Sequence, residues 1–317
     1  MQALQTQICK PLQVVVVDSG STDGSLALSQ QAGFTVFHTQ AAQFNHGATR
    51  QWALNQALEK AGQPPEFVVC LTQDAVLSSN QSLQNLLAVF LQPAVAAAYG
   101  RQLPKPGASW IEAHARLFNY PEASQTVQLQ DKDRLGIKTC FLSNSFAAYR
   151  LQALEQIGGF PSKLPLGEDT CSAARLLKAG YLIAYQATAS VYHSHNYNVR
   201  QDFQRMFDTG VFHAQNLWLL QTFGAAEGEG LRLVKSQWRY ITQAKLTPPN
   251  EQHQHQPLAM ESPPQVLKPN LILAIAQLLM TNTAKWVGYK LGRAHLCLPK
   301  FLLYKFAMHK AFWQQKT

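Results

Sequence analysis

The first strong feature of the chain is a switch in polarity. Four valines, Val14 to Val17, are followed by eight residues that are nearly all small or polar, in "VVVVDSGSTDGS". A short β-branched run bounded by turn residues predicts a buried strand. The pattern then alternates. Leu26 to Ala32 reads as a short helix stopped by Gly33, and Phe34 to Phe37 as a second strand. His46 to Ala61 reads as a helix closed by Gly62 and the Pro64-Pro65 pair, and Phe67 to Leu71 as a third strand. Strands alternating with helices predict an α/β fold, a doubly wound and mostly parallel sheet covered on both faces. Ligands in such sheets sit beyond the carboxyl ends of the strands. Asp18 ends one strand and Asp74 lies just past another, in "FVVCLTQDA", so both acids are expected in one crevice. Gly20 and Gly24 permit a tight turn between strand and helix, and Ser21, Thr22 or Asp23 can cap the helix. An ordinary strand-turn-helix junction uses the same residues, so this run alone assigns no site.

Composition narrows the choice of partner. The 317 residues suffice for one large domain or a domain with an appendage. No uninterrupted apolar run approaches the ~20 residues of a membrane-spanning helix. The longest, Leu271 to Met280, contains Gln277. Five scattered cysteines without a C-x-x-C pair predict reduced thiols rather than a disulfide framework or zinc knuckle. No charged-then-apolar leader precedes the first strand, so a cytoplasmic location is expected. The net charge of +9 is unevenly spread. Residues 1–220 carry 15 basic against 14 acidic side chains, and residues 221–317 carry 12 against 4. From Gln265 onward eight basic residues and no acid are interleaved with aromatics such as Trp286, Phe301 and Trp313. That mixture suits peripheral contact with the anionic inner face of the plasma membrane, and equally an ordinary solvated helical face. No nucleic-acid motif is present, and no nucleic-acid partner is expected.

Further motifs follow in order: "FNHGATRQWAL", "LTQDA", "YGRQLP", "SNSFAAYR", "GGFPSKLPLGEDTCSAARLLKAGY", "YHSHNYN" and "FQRMFDTGVFH". Together with the valine run, their wording and order resemble family 2 glycosyltransferases of the GT-A fold, the rhamnosyltransferase-like branch in particular. The resemblance spans about residues 3–220 and has a weaker echo in "KWVGYKLGRAHLCLPKFLLYKFAMHKAFW". It implies an inverting transfer of a sugar, rhamnose or another hexose, from a nucleotide-sugar such as dTDP-rhamnose or a UDP-sugar to a glycan or lipid-linked acceptor.

The resemblance also implies roles. Asp18, with Ser19 beside it, would contact the base or ribose of the donor, and Arg50 its ribose or diphosphate. Asp74 is similar to the metal-binding acid of the family's D-x-D element, here reduced to Thr72-Gln73-Asp74 with a single carboxylate. A hard cation, Mg²⁺ or Mn²⁺, can be held by one carboxylate, a second protein ligand, water and the diphosphate. His193 and His195 alternate on a strand end and share a face, so either can be the third ligand, His193 being slightly favoured. Glu168 and Asp169 start a helix that Gly180 stops. Capping and the helix dipole alone would place acids there. By resemblance Asp169 is the general base and Glu168 a supporting acid, and Arg205 would stabilise the leaving diphosphate. Asn144 and Ser145 would line the donor-acceptor boundary.

Other features read as structural. Trp110, Glu112, His114 and Arg116 are expected on a surface helix, and the "HQHQ" run from His253 in a flexible linker at 248–269, which holds six prolines. The expected domains are a GT-A-like unit at 1–220, a helical extension at 221–247, that linker, and a basic amphipathic helical tail at 270–317. Family members begin with a further strand and most of a helix ahead of the valine run, so by resemblance the chain reads as N-terminally truncated. A sheet edge beside the donor site is then expected to lack its partner. The rival readings are an inactive scaffold that binds glycan or membrane, and a nucleotidyltransferase, whose usual glycine-rich basic loop this sequence does not contain.

Overall fold

The computed structural model describes residues 1–242 and 270–314. The expected linker at 248–269, with its "HQHQ" run, lies outside the described residues. The valine run forms β1 (Val15–Asp18), followed by β2 (Thr35–His38), β3 (Phe67–Leu71), β4 (Val76–Leu77) and β5 (Val95–Leu103). Later come β6 (Gln125–Val127), β7 (Phe146–Arg150) and β8 (Leu182–Tyr192). β1 and β2 pair in parallel, with Asp18 opposite His38. The other six strands form a second sheet of order β3-β7-β5-β8-β4, with β6 also on β8. β5 and β8 are parallel, and β7 enters between β3 and β5 antiparallel to both. β3, β5 and β8 therefore run one way, and the sheet is mixed because β7, β4 and β6 run against them. Among the described residues β1 pairs only with β2, and β3 only with β7.

Side chains alternate across the large sheet with the strand period of two. Tyr99, Tyr149 and Tyr185 enter one core with Leu54 of the His46–Lys60 helix and Leu176 and Leu177 of the Glu168–Lys178 helix. Ala98, Ala148 and Ala184, paired across three strands, enter the other. Their small size lets the Ser82–Ala88 helix bring Leu83 and Leu86 close to the sheet. Leu86, Leu176 and Leu177 are fully buried, so truncating any of them to alanine costs ~2–5 kcal/mol.

A bulge sets the end of the sheet that matters. Gly100 faces Gln186, but Arg101 already faces Ser190. The strands approach so closely here that a Cβ on Gly100 would collide with the Ala189 carbonyl and the Phe146 ring. Beyond the bulge the strands stay paired, and His193 N–H donates to the Leu103 carbonyl at 2.9 Å. Gln102 and His193 are thus turned toward each other at the carboxyl end of the sheet.

The C-terminal region is helical: Glu227–Thr242, Leu271–Arg293, Lys300–Phe306 and Lys310–Gln314. Leu271–Arg293 is a single 23-residue helix, long and apolar enough by composition to cross a bilayer, which the ten-residue apolar run did not suggest. One side of it packs along the Val199–Gln215 helix in backbone contact. A Cβ on Gly288 or Gly292 would strike the Phe203 or Phe207 carbonyl, and one on Gly210 the Tyr289 carbonyl. These helices also cover the Trp110–Asn119 helix, so Trp110, Glu112 and His114 are buried rather than at the surface. Trp110 Nε1 donates to Gln277 at 2.7 Å, and its ring stacks on Tyr240.

Candidate active site

Two clusters of functional side chains stand at the carboxyl end of the large sheet. The first gathers Asp74, just beyond β3, with His193 and His195, just beyond β8. Asp74 Oδ2 lies 3.4 Å from His193 Nε2, 3.5 Å from His195 Nδ1 and 3.8 Å from Lys105 Nζ. One ligand atom from each of Asp74, His193 and His195 falls within 4.8 Å of the others. Hydrogen bonding from His193 holds the Asp74 carboxyl well below the usual carboxylate range. Burial, with His193 alongside, pushes His195 down to about 4, so its ring is neutral at physiological pH.

The buried His193 is oriented from behind. Its Nδ1 is 2.8 Å from Gln102 Oε1, an acceptor, so Nδ1 carries a proton and the ring is fixed with Nε2 facing Asp74. Gln102 is itself held by Arg116 and Ser143. His195 stacks on Tyr197 with the ring planes 7° apart. One carboxylate and two imidazoles with a ligand atom each within 4.8 Å of the others are a donor set that fits a divalent cation. Both histidines stand beside Asp74.

The second cluster is built at the start of the Glu168–Lys178 helix, where adjacent acids have opposite fates. Glu168 is buried and paired with Arg50 of the His46–Lys60 helix, and it accepts from Asn144 Nδ2 at 3.3 Å. Burial alone would raise its pKa, but the Arg50 guanidinium more than offsets that and holds it ionised. Asp169 has no such cation. Its carboxylate accepts from the Thr170 N–H at 2.8 Å and the Asn144 N–H at 3.3 Å. Burial and then the Glu168 charge push it up to about 6. A basic carboxylate poised near neutrality is what proton abstraction needs.

The two clusters are joined through the 143–145 loop. Asn144 touches both Glu168 and Asp169 and accepts from Tyr149 Oη at 2.6 Å. Ser143 Oγ accepts from Gln102, which orients His193. The Thr72 N–H, two residues before Asp74, donates to the Ser145 carbonyl at 3.3 Å. The Asp74 and Asp169 clusters are therefore two ends of one hydrogen-bonded lattice.

Of the other expected site residues, Asp18 and Ser19 lie outside these two clusters. Asp18 is buried and belongs to the separate β1–β2 pair, which packs on the His46–Lys60 helix. Its carboxylate accepts from the Gly20 and Ser21 N–H groups at 3.0 and 3.1 Å, and hydrogen bonding from Ser21 and Gly20 holds its pKa low. Ser19 is exposed in the following loop. At the following helix Gly24 takes the N-cap position in a left-handed conformation, φ 83°, and of the expected capping residues Asp23 accepts from the Ser25 N–H at 3.1 Å. Arg50 is committed to Glu168. Arg205 lies on the Val199–Gln215 helix, and its charge acts on His46 and on Tyr197.

Two contributors were not singled out from the sequence. Gln102 lies in the "YGRQLP" stretch, 91 residues from His193. His309 comes from the C-terminal region, and its Nε2 meets His46 Nε2 at 3.3 Å. Asp208 Oδ2 accepts from the His309 ring and from the Met308 and His309 N–H groups. Burial pushes His46 down to about 4, so the His46–His309 contact is made with a neutral imidazole.

Known proteins agree with this architecture. The family described as Glycosyl transferase family 2 matches residues 2–158. The chain is 42% identical over 311 residues to the O-antigen chain rhamnosyltransferase WbaN of Salmonella anatum, covering 98% of this chain and 89% of that one. It is 39% identical over 314 residues to the O-antigen chain rhamnosyltransferase RfbN of Salmonella typhimurium, covering 99% and 90%. Among solved structures it is similar to a mannosyltransferase from Pyrobaculum calidifontis in complex with GDP-Man and Mn²⁺, with a TM-score of 0.46 and 18% identity over 99% of this chain and 79% of that chain. With two relatives matched along nearly their whole length, the chain belongs to glycosyl transferase family 2 and is a glycosyltransferase.

Proposed function

We propose that this enzyme transfers rhamnose from a nucleotide-sugar, dTDP-rhamnose, to a glycan acceptor of O-antigen type carried on a lipid at the inner face of the plasma membrane, with inversion at the anomeric carbon. The names of its two near-full-length relatives support the sugar and the pathway class. The observation that carries the chemistry is the opposite tuning of two carboxylates in one lattice, Asp74 strongly acidic and Asp169 near 6.

Asp169 accepts the proton of the acceptor hydroxyl as that oxygen bonds to the anomeric carbon and the bond to the diphosphate oxygen breaks. Such base catalysis is worth ~10² to 10⁴ in rate. Asn144 fixes the Asp169 carboxylate, and Glu168 with Arg50 keeps a negative charge beside it that raises its basicity. Asp74, His193 and His195 would hold a divalent cation, which when bound neutralises the departing diphosphate. Lys105 and Arg205 add positive charge. Asp18 and Ser19 receive the nucleoside.

The test is turnover by purified protein with dTDP-rhamnose, or with UDP-sugars in parallel, in Mg²⁺ or Mn²⁺. Transfer or donor hydrolysis that continues at full rate in Asp169→Asn would remove the proposed base, and faster use of a UDP-sugar would replace the donor.

A further inference from the structure

The Leu271–Arg293 helix has two unlike faces. Ala274, Leu278, Thr281, Gly288 and Gly292 are buried against the domain. At 100° per residue the opposite face carries Ile272, Ala276, Leu279, Thr283, Trp286 and Lys290. All six are exposed, Ile272 by 78%, Leu279 by 60% and Trp286 by 62%. Leu273 and Met280, both exposed, widen the stripe on one flank. A helix on a globular surface should be polar there. This one instead holds an apolar band over 15 residues, about 21 Å long at the α-helical rise, that ends on a lysine.

Charge selects the occupant. From 270 to 314 the chain has six basic residues and no acid. Lys285 is turned inward to Asp202 at 3.2 Å, while Lys290, Lys300, Lys305 and Lys310 are exposed. Phe301, 70% exposed, stands next to Lys300, as Trp286 stands one turn before Lys290. A second copy would bring the same positive charge against itself, which opposes self-association. Spanning is also closed to this helix while its inner face stays in backbone contact with Val199–Gln215.

We infer that the outer face of Leu271–Arg293, with Phe301 and the neighbouring lysines, docks side-on onto an anionic lipid bilayer. The apolar stripe enters the acyl boundary and the lysines meet the headgroups, as interfacial amphipathic helices do. His309, four residues after Lys305 in the same basic segment, already sits against His46 beside Glu168, so the surface that meets lipid is continuous along the chain with a contact at the active site.

The experiment is co-sedimentation of the full chain with phosphatidylcholine vesicles, with and without one-quarter phosphatidylglycerol, and no donor present. Its outcome is therefore separate from the sugar-transfer reading. Binding to the anionic vesicles is expected to exceed binding to the neutral ones by at least about tenfold and to weaken with salt. Trp286→Glu is expected to lower it by about tenfold or more, and each of Lys300→Ala and Lys305→Ala by about fivefold. Should Trp286→Glu not fold, quenching of the native protein's tryptophans by bromine-labelled anionic lipid supplies the same answer, and absence of quenching overturns the inference. Equal sedimentation of folded wild type and Trp286→Glu would also overturn it, as would a dimer in light scattering that Trp286→Glu dissolves.

Discussion

Replacing Asp169 by asparagine should abolish transfer and at the same time make the protein more stable at alkaline pH. The folded pKa of about 6 lies above the ordinary aspartate value of 3.8. A group raised in this way contributes stability below its unfolded pKa and loses it as pH rises through the folded value. At pH 8 the ionised carboxylate therefore costs about 3 kcal/mol, from roughly 2 pKa units at 1.36 kcal/mol each. Asparagine carries no charge and removes that cost. It keeps an oxygen for the Thr170 N–H but turns an amide toward the Asn144 N–H, losing one hydrogen bond worth ~1 kcal/mol. The net gain is about 2 kcal/mol at pH 8, falling toward zero or below near pH 4, where the native carboxyl is already neutral. Urea denaturation of both proteins across this range measures it, beside a transfer assay in which the rate should fall by ~10² to 10⁴. A variant that is no more stable at pH 8 than at pH 4, relative to wild type, would show that Asp169 is not held in a desolvated, strained ionisation and would refute the reasoning.

Three further outcomes are expected. The pH profile of kcat/KM should fall on the acid side with a limb near 6, and Glu168→Gln, by removing the neighbouring negative charge, should move that limb to lower pH while destabilising the fold by ~3–5 kcal/mol because Arg50 is left buried and alone. Gln102→Leu should weaken Mn²⁺ affinity by about 10- to 100-fold in a calorimetric titration, since the His193 ring loses its anchor, and Mn²⁺ should bind more tightly than Mg²⁺ because two of the three ligands are imidazoles. Gly292→Val should force the Leu271–Arg293 helix off the Val199–Gln215 helix, read as rapid proteolytic loss of the C-terminal region and a stability deficit of ~1–3 kcal/mol.

Sequence made some of this legible and concealed the rest for identifiable reasons. β3 falls where the apolar run puts it, and β1 and β2 lie within a residue of expectation, because short apolar runs between turn residues have few alternatives. The acids at 74 and 169 could be singled out by the motifs around them, and the alternation of His193 and His195 placed both rings on one face. The direction of β7 could not be read, since strand order depends on pairing between residues some 50 to 80 positions apart. The Trp110–Asn119 helix looked like surface because its polar residues are periodic; the helices that bury them arrive more than 100 residues later. Gln102 and His309 lie in quoted stretches, but their partners, His193 and His46, are 91 and 263 residues away, and such pairings leave no local periodicity.

The division of the strands into two sheets has a mechanical consequence. A lone pair of four-residue strands is marginal by itself, and β1–β2 leans on the remainder through contacts such as the Phe37–Trp52 ring pair, 5.5 Å between centroids. The wall expected to receive the nucleoside is thus the compliant one, while the wall bearing the proton acceptor is anchored in a core of fully buried aromatics and leucines. Donor capture would then spend part of its affinity on stiffening that wall, and amide exchange along Val15–Asp18 should slow most when nucleotide is added.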